Sequence, residues 1–160
     1  MKSLAEQLAV YQQQHTNKLN RLMHYIGIPM IIFSLLMLFN WISIDVATEW
    51  QISFAWIFLI AALIYYFYLN VRLAIVASVI LIIMALFAMW IARPSPTQFS
   101  ASLFLILFVL GWVFQLLGHF FEKRKPAFLL SAKQLLIGPL FVLIEALTAL
   151  GVVQYVMRSS

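Results

Sequence analysis

Residues 103–125 read LFLILFVLGWVFQLLGHFFEKRK, and this stretch decides the fold. The apolar run it belongs to covers about residues 99–121, enough for one helix across a bilayer, which needs roughly 20 mostly apolar residues. Set into the run are Gln115, His119 and Glu122, at i, i+4 and i+7, so they share one helix face. Presenting that stripe to lipid is costly, so it faces protein or a cavity. A plainer account has Glu122 snorkelling at the span's end beside Lys123, Arg124 and Lys125. It explains neither Gln115 nor His119.

Working outward, the same character extends over the chain. Of 160 residues 65% are hydrophobic and 9% charged, and the mean hydropathy is +1.02, which is the composition of an integral membrane protein. Five candidate spans cover about 25–43, 51–69, 72–92, 99–121 and 134–157, the first the shortest and the last interrupted by Pro139. That gives four firm spans and one irregular one. The runs are continuous and lack the alternation of a membrane barrel, so strands are not expected. The expected fold is all-α, a single membrane domain over 1–160, with 1–24 as an interfacial or cytoplasmic segment and 25–157 as the spans. Residues 1–24 are too polar for a signal peptide. The absence of cysteine excludes disulfides, thiolate catalysis and cysteine-ligated clusters.

Basic residues orient the spans. With the N-terminus inside, Lys2, Lys18, Arg21, Arg72, Lys123, Arg124, Lys125 and Lys133 are cytoplasmic, and only Arg93 and Arg158 lie outside. The first outer loop carries Asp45 and Glu49. This asymmetry follows the positive-inside rule, so the net charge of +5 reflects topology and anionic lipid headgroups. No basic stripe interleaved with aromatics suggests nucleic acid. The orientation brings His119 and Glu122 to the cytoplasmic end, where His15 and His24 also lie before the first span. All three histidines of the chain then gather at one membrane face.

The segment before the first span carries Leu4, Leu8 and Tyr11 on one stripe, which suits an amphipathic interfacial helix. His15 and His24 are nine residues apart, about 180° on one straight helix. They serve one site only if the helix breaks between them, near Thr16–Asn17. Asn17 is a good N-cap, Lys18 can open the next helix, and Asn20 and His24 are four apart on it. Two interfacial histidines on a solvated helix is the bland alternative. Glu145 lies past Gly138–Pro139 in the last apolar run, where a carboxylate must be protonated, hydrogen-bonded or bound to a cation. Asn70 and Arg72 need no reading beyond a short turn.

Two motifs carry a resemblance. His15 to Pro29 has the form H-x4-N-x3-H-x2-G-x-P, and Trp112 to Ala127 has the form W-x2-Q-x2-G-H-x2-E-x3-P-A. In this order, with Gly138-Pro139 through Glu145 following, they resemble a membrane family typified by a yeast 2-hydroxy-fatty-acid dioxygenase, over about Tyr11 to Glu145. The resemblance implies an Fe(II)-dependent oxygenase that uses O2 to cut a 2-hydroxy fatty acid to one a carbon shorter. Its catalytic, metal-binding histidines carry over onto His15, His24 and His119. Asn20, Gln115 and Glu122 match polar motif positions. Many relatives place proline where this chain has Lys18. Others carry further histidines that this chain does not match, so carboxylate, amide or water must complete the shell. Glu122 and Glu145 are the carboxylate candidates for the metal, and Asn20 and Gln115 are the amides placed near the cofactor.

The chemistry agrees, since non-haem Fe(II) oxygenases need a few imidazole and carboxylate ligands with open positions. Any of Lys123, Arg124 and Lys125 could attract the substrate carboxylate, although they also serve as topology anchors. The expected setting is a bacterial inner membrane, or the endoplasmic reticulum in a eukaryote. The sequence sets no oligomeric state. Alternatives are a haem held by two histidines, a metal-binding membrane protein without oxygenase activity, and a small transporter or structural protein. Against a transporter, no repeat symmetry is present.

Overall fold

Unbroken Leu, Ile, Phe and Val runs leave the backbone no solvent partner in lipid, so it must satisfy itself as helix. A computed structural model describes residues 3–47, 50–123 and 133–157, and there the chain is a helical bundle. The helices are α1 (Leu4–Gln13), α2 (Lys18–Asn40), α3 (Phe54–Leu69), α4 (Val71–Ala92), α5 (Gln98–Glu122), α6 (Lys133–Ala149) and α7 (Val153–Met157). Three of them, α2, α4 and α5, are long and apolar enough to cross a membrane, with 23, 22 and 25 residues. The apolar helices α3 and α6, of 16 and 17 residues, reach about 25 Å against a hydrocarbon core of about 30 Å.

Strands do occur, contrary to expectation. Ser43–Ala47 and Trp50–Ser53 form β1 and β2, a small antiparallel hairpin at the end of the bundle opposite the histidines. A two-stranded ribbon sits here because the segment is short, carries β-branched Ile44, Val46 and Ile52, and joins the ends of two apolar runs, taking in residues 51–53 of the second. Behind it, Asn40 and Ser53 are buried and hydrogen-bonded to each other at 3.0 Å.

Small residues bring the helices close. On α4 Ala74, Ala77, Ala85, Ala88 and Ala92 are buried, while Ile75, Val79, Ile83 and Phe87 on its other side are exposed, as on a lipid-facing surface. The seam between α2 and α5 is tighter. A Cβ on Gly27 would meet the Gly111 carbonyl oxygen at 2.8 Å, and one on Gly118 would meet Asn20 Oδ1 at 2.5 Å.

Helix α1 is amphipathic as read, with a Ser3–Glu6 capping box, and its stripe of Leu4, Leu8 and Tyr11 is buried against protein. The last apolar run differs from its reading as an outward span over 134–157. Gly138 on α6 packs beside Ile28, while Glu145, seven residues on, meets Arg21 and Tyr25. Helix α6 thus runs back toward the start of α2. The chain turns at Gly151, whose φ of +72° suits glycine, and α7 brings the Tyr155 carbonyl to Arg72 at the start of α4. Two physical reasons stand behind this course: α6 is short for a span, and the Glu145 carboxylate needs the Arg21 cation.

Candidate metal centre

The break between α1 and α2 is where the site begins. Helix α1 ends at Gln13, and Asn17 caps α2 by accepting the Leu19 N–H at 2.8 Å. The turn between them is clamped from α5. Glu122 accepts from the Thr16 N–H at 3.0 Å, the Asn17 N–H at 2.8 Å and the Asn20 amide at 3.1 Å, and from the Thr16 hydroxyl. Lys123, left-handed at φ 57°, ends α5 directly after the clamp. With α2 and α5 pressed together at Gly118, His119 arrives beside His24, and the broken turn folds His15 back over both.

The three imidazoles form one cluster. Ring centroids are 4.4 Å apart for His15–His24, 4.9 Å for His24–His119 and 5.1 Å for His15–His119. All three residues are buried, and one nitrogen from each lies within 4.8 Å of the others. His15 Nδ1 is 2.6 Å from the Tyr11 carbonyl oxygen, and His24 Nδ1 is 2.9 Å from that of Asn20. A carbonyl only accepts, so each Nδ1 carries the hydrogen and each Nε2 of the neutral ring is bare. Yet the two Nε2 atoms face each other at 3.0 Å. Two lone pairs so placed repel unless a cation lies between them. The spacing suits adjacent ligands on one ion about 2.1 Å from each. The Nδ1 of His119 is likewise buried, with no hydrogen-bond partner among the described residues.

Burial holds the His15 imidazole below its ordinary range, which keeps it neutral and its lone pair available. Tyr11 stacks flat on it, with ring centroids 4.0 Å apart and 6° between planes. Burial also raises the Tyr11 phenol above its ordinary range, so it stays protonated. Carbonyl support of a histidine's second nitrogen is the usual way proteins orient an imidazole toward a metal. The donor set and its support therefore fit a divalent ion. A haem between His15 and His24 does not fit, since no macrocycle passes between nitrogens 3.0 Å apart.

From the cluster a cavity of about 340 Å³ extends between the helices. His15, His24, His119, Gln115 and Gln134 line its polar end, and mostly Ile, Leu, Phe, Ala and Trp side chains, with Tyr11 and Tyr66, line the rest. Such a volume is typical of a small-molecule pocket. Buried in its wall, Gln115 Nε2 and Gln134 Oε1 have no hydrogen-bond partner among the described residues, and neither has Asn20 Oδ1 nearby.

The structure thus brings His15, His24 and His119 together, with Asn20, Gln115 and Glu122 around them. Asn20 also donates to the Gln14 carbonyl at 3.0 Å, bracing the broken turn. Glu122 binds the turn, and Glu145 is engaged by Arg21 and by the Tyr25 hydroxyl at 2.7 Å. Among the described residues neither carboxylate joins the three-histidine group. Glu122 makes these turn contacts, while Arg124 and Lys125, two of the three cations expected beside it, lie outside the described residues. Sequence reasoning missed Tyr11 as the support of His15, though its place four residues before the histidine was a usable signal. It also missed Gln134, a polar residue opening an apolar run as Gln115 interrupts one.

The model of the family described as 2-hydroxy-palmitic acid dioxygenase Mpo1-like matches residues 1–150. The 2-hydroxy-palmitic acid dioxygenase MPO1 of Saccharomyces cerevisiae is 33% identical over 150 residues, covering 92% of this chain and 82% of the yeast protein. No solved structure matches the chain. The motifs around His15, His24 and His119 fall within the matched residues, and the chain belongs to the Mpo1-like family.

Proposed function

We propose that this protein is an Fe(II)-dependent membrane dioxygenase that uses O2 to shorten 2-hydroxy fatty acids by one carbon, with His15, His24 and His119 as ligands. The observation that carries the metal is the pair of bare Nε2 atoms of His15 and His24 at 3.0 Å. The activity of the yeast relative, given by its name, supports the substrate class. Iron is favoured over zinc by the redox chemistry; affinity alone does not choose it. Bound here, Fe(II) supplies the one-electron chemistry that activates O2, which no side chain of this chain can supply.

The protein's own residues do the rest. Tyr11 and Asn20 carbonyls hold two imidazoles in one tautomer. Three neutral nitrogen donors leave positions for the oxygens of a 2-hydroxy acid and for O2. The free polar atoms of Gln115 and Gln134 stand ready for the acid's carboxylate and hydroxyl. Glu122 fixes the turn that carries His15, and Glu145 with Arg21 ties α6 to α2. The apolar cavity excludes water and takes the tail. In the membrane, the histidine end and the N-terminus are assigned to the cytoplasmic face by the basic residues.

Iron-loaded and zinc-loaded protein, each given a 2-hydroxy fatty acid under O2, test the reading. Consumption of O2 with formation of the acid one carbon shorter by the iron form alone is expected. Equal turnover by the zinc form, or none by either, overturns it.

A further inference from the structure

The cavity has a direction. Its histidines and glutamines lie at one end, and Phe39 and Phe58 stand at the other, their rings stacked across α2 and α3 with centroids 4.6 Å apart. Phe54 backs Phe58 at 6.2 Å. Along α2 the lining residues Ile28, Ile32, Leu35 and Phe39 recur every three or four positions, so one helix face forms the floor.

We propose that this cavity receives the acyl tail, and that the stacked Phe39–Phe58 pair is a wall setting the longest tail the protein accepts. The proposal rests on the dioxygenase reading above and adds to it the residues that measure the substrate. From His24 to Phe39 is fifteen residues, about 22 Å at 1.5 Å per residue. An extended hydrocarbon chain advances about 1.25 Å per carbon for bonds near 1.5 Å. The distance from the imidazoles to the rings therefore corresponds to about 16 to 18 carbons. Gln115 Nε2 and Gln134 Oε1, without a partner among the described residues, and an apolar channel beyond them match a ligand with oxygens at one end only. Ala62 lines the same cavity one turn nearer the histidines than Phe58, about 6 Å along α3. A large side chain there would end the channel about five carbons earlier.

The test is competitive. Iron-loaded wild type, Phe58→Ala, Phe39→Ala and Ala62→Phe each receive one equimolar mixture of 2-hydroxy acids from about 12 to about 24 carbons, bracketing the measured span. Products are read by mass spectrometry as ratios within a single vessel, so the amount of folded enzyme cancels. Wild type should fall off steeply past about 18 carbons. Either alanine variant should raise the ratio of the longest product to the 16-carbon-substrate product at least about tenfold, and Ala62→Phe should shift preference to shorter acids. Should Ala62→Phe be inactive, Phe58→Ala decides alone, because its half-exposed ring carries little of the core. Wild-type activity with the same ratios in Phe58→Ala overturns the wall and leaves the dioxygenase reading standing. Wild type that turns over no member of the mixture overturns both.

Discussion

Replacing Glu122 by alanine should loosen the site without removing a ligand. One carboxylate accepts from two backbone N–H groups, a hydroxyl and the Asn20 amide across the α2–α5 junction. A hydrogen bond to a charged acceptor contributes about 1.5–3 kcal/mol, and the four share one partly exposed group, so the sum is far from additive. A loss of about 2–3 kcal/mol is expected, a fall of roughly 5–10 °C in the melting temperature for a chain of this size. The Thr16–Asn17 turn then frays, and His15 loses its fixed place over His24 and His119. Loss of a group that orients ligands typically costs about 10–100-fold in metal affinity. Glu122→Gln, which keeps one acceptor oxygen, should fall between the two. The assays are thermal unfolding in detergent and metal affinity by competition with a chelator of known strength. Wild-type metal affinity in a destabilised Glu122→Ala would refute the clamp. So would complete metal loss at unchanged stability, which would make Glu122 a ligand.

Three further outcomes follow from the same contacts. Gly118→Ala places a methyl 2.5 Å from Asn20 Oδ1 and 3.2 Å from His24 Nδ1, so it should cost about 1–3 kcal/mol by overpacking and depress metal affinity, read by the same two assays. Glu145→Ala breaks a half-exposed pair with Arg21 and should cost about 1 kcal/mol of stability while metal content stays at the wild-type level; metal loss would return Glu145 to the ligand shell. With no native cysteine in the chain, single cysteines at Lys18, Lys123 and Tyr155 should label from one side of the membrane and one at Arg93 from the other. Tyr155 labelling with Arg93 would restore an outward-running last span.

Much of the site was legible because it obeyed local rules. Period 3.6 put Gln115, His119 and Glu122 on one face, and the angle between His15 and His24 required the break that Asn17 caps. Charge asymmetry placed both clusters at one end before any contact was known. The remainder depended on tertiary course. Nothing in the spacing of Arg21, Tyr25 and Glu145 pairs them, because the partner of a partly buried carboxylate is set by where α6 runs. Gly27, Gly111 and Gly118 matter only as a seam, which needs both helices in register. The hairpin at 43–53 was hidden by its brevity beside long apolar runs, and the cavity by the fact that its lining comes from six helices.

The proposed site is one Fe(II) held by His15, His24 and His119 together. Its most direct measurement is iron stoichiometry in anaerobically purified, Fe(II)-reconstituted protein, wild type beside His119→Ala, with circular dichroism confirming that both are folded. About one iron per wild-type chain is predicted, with little retained by folded His119→Ala because a shell missing one of three imidazoles binds weakly. Equal iron in the two, or none in the folded wild type, would overturn this site.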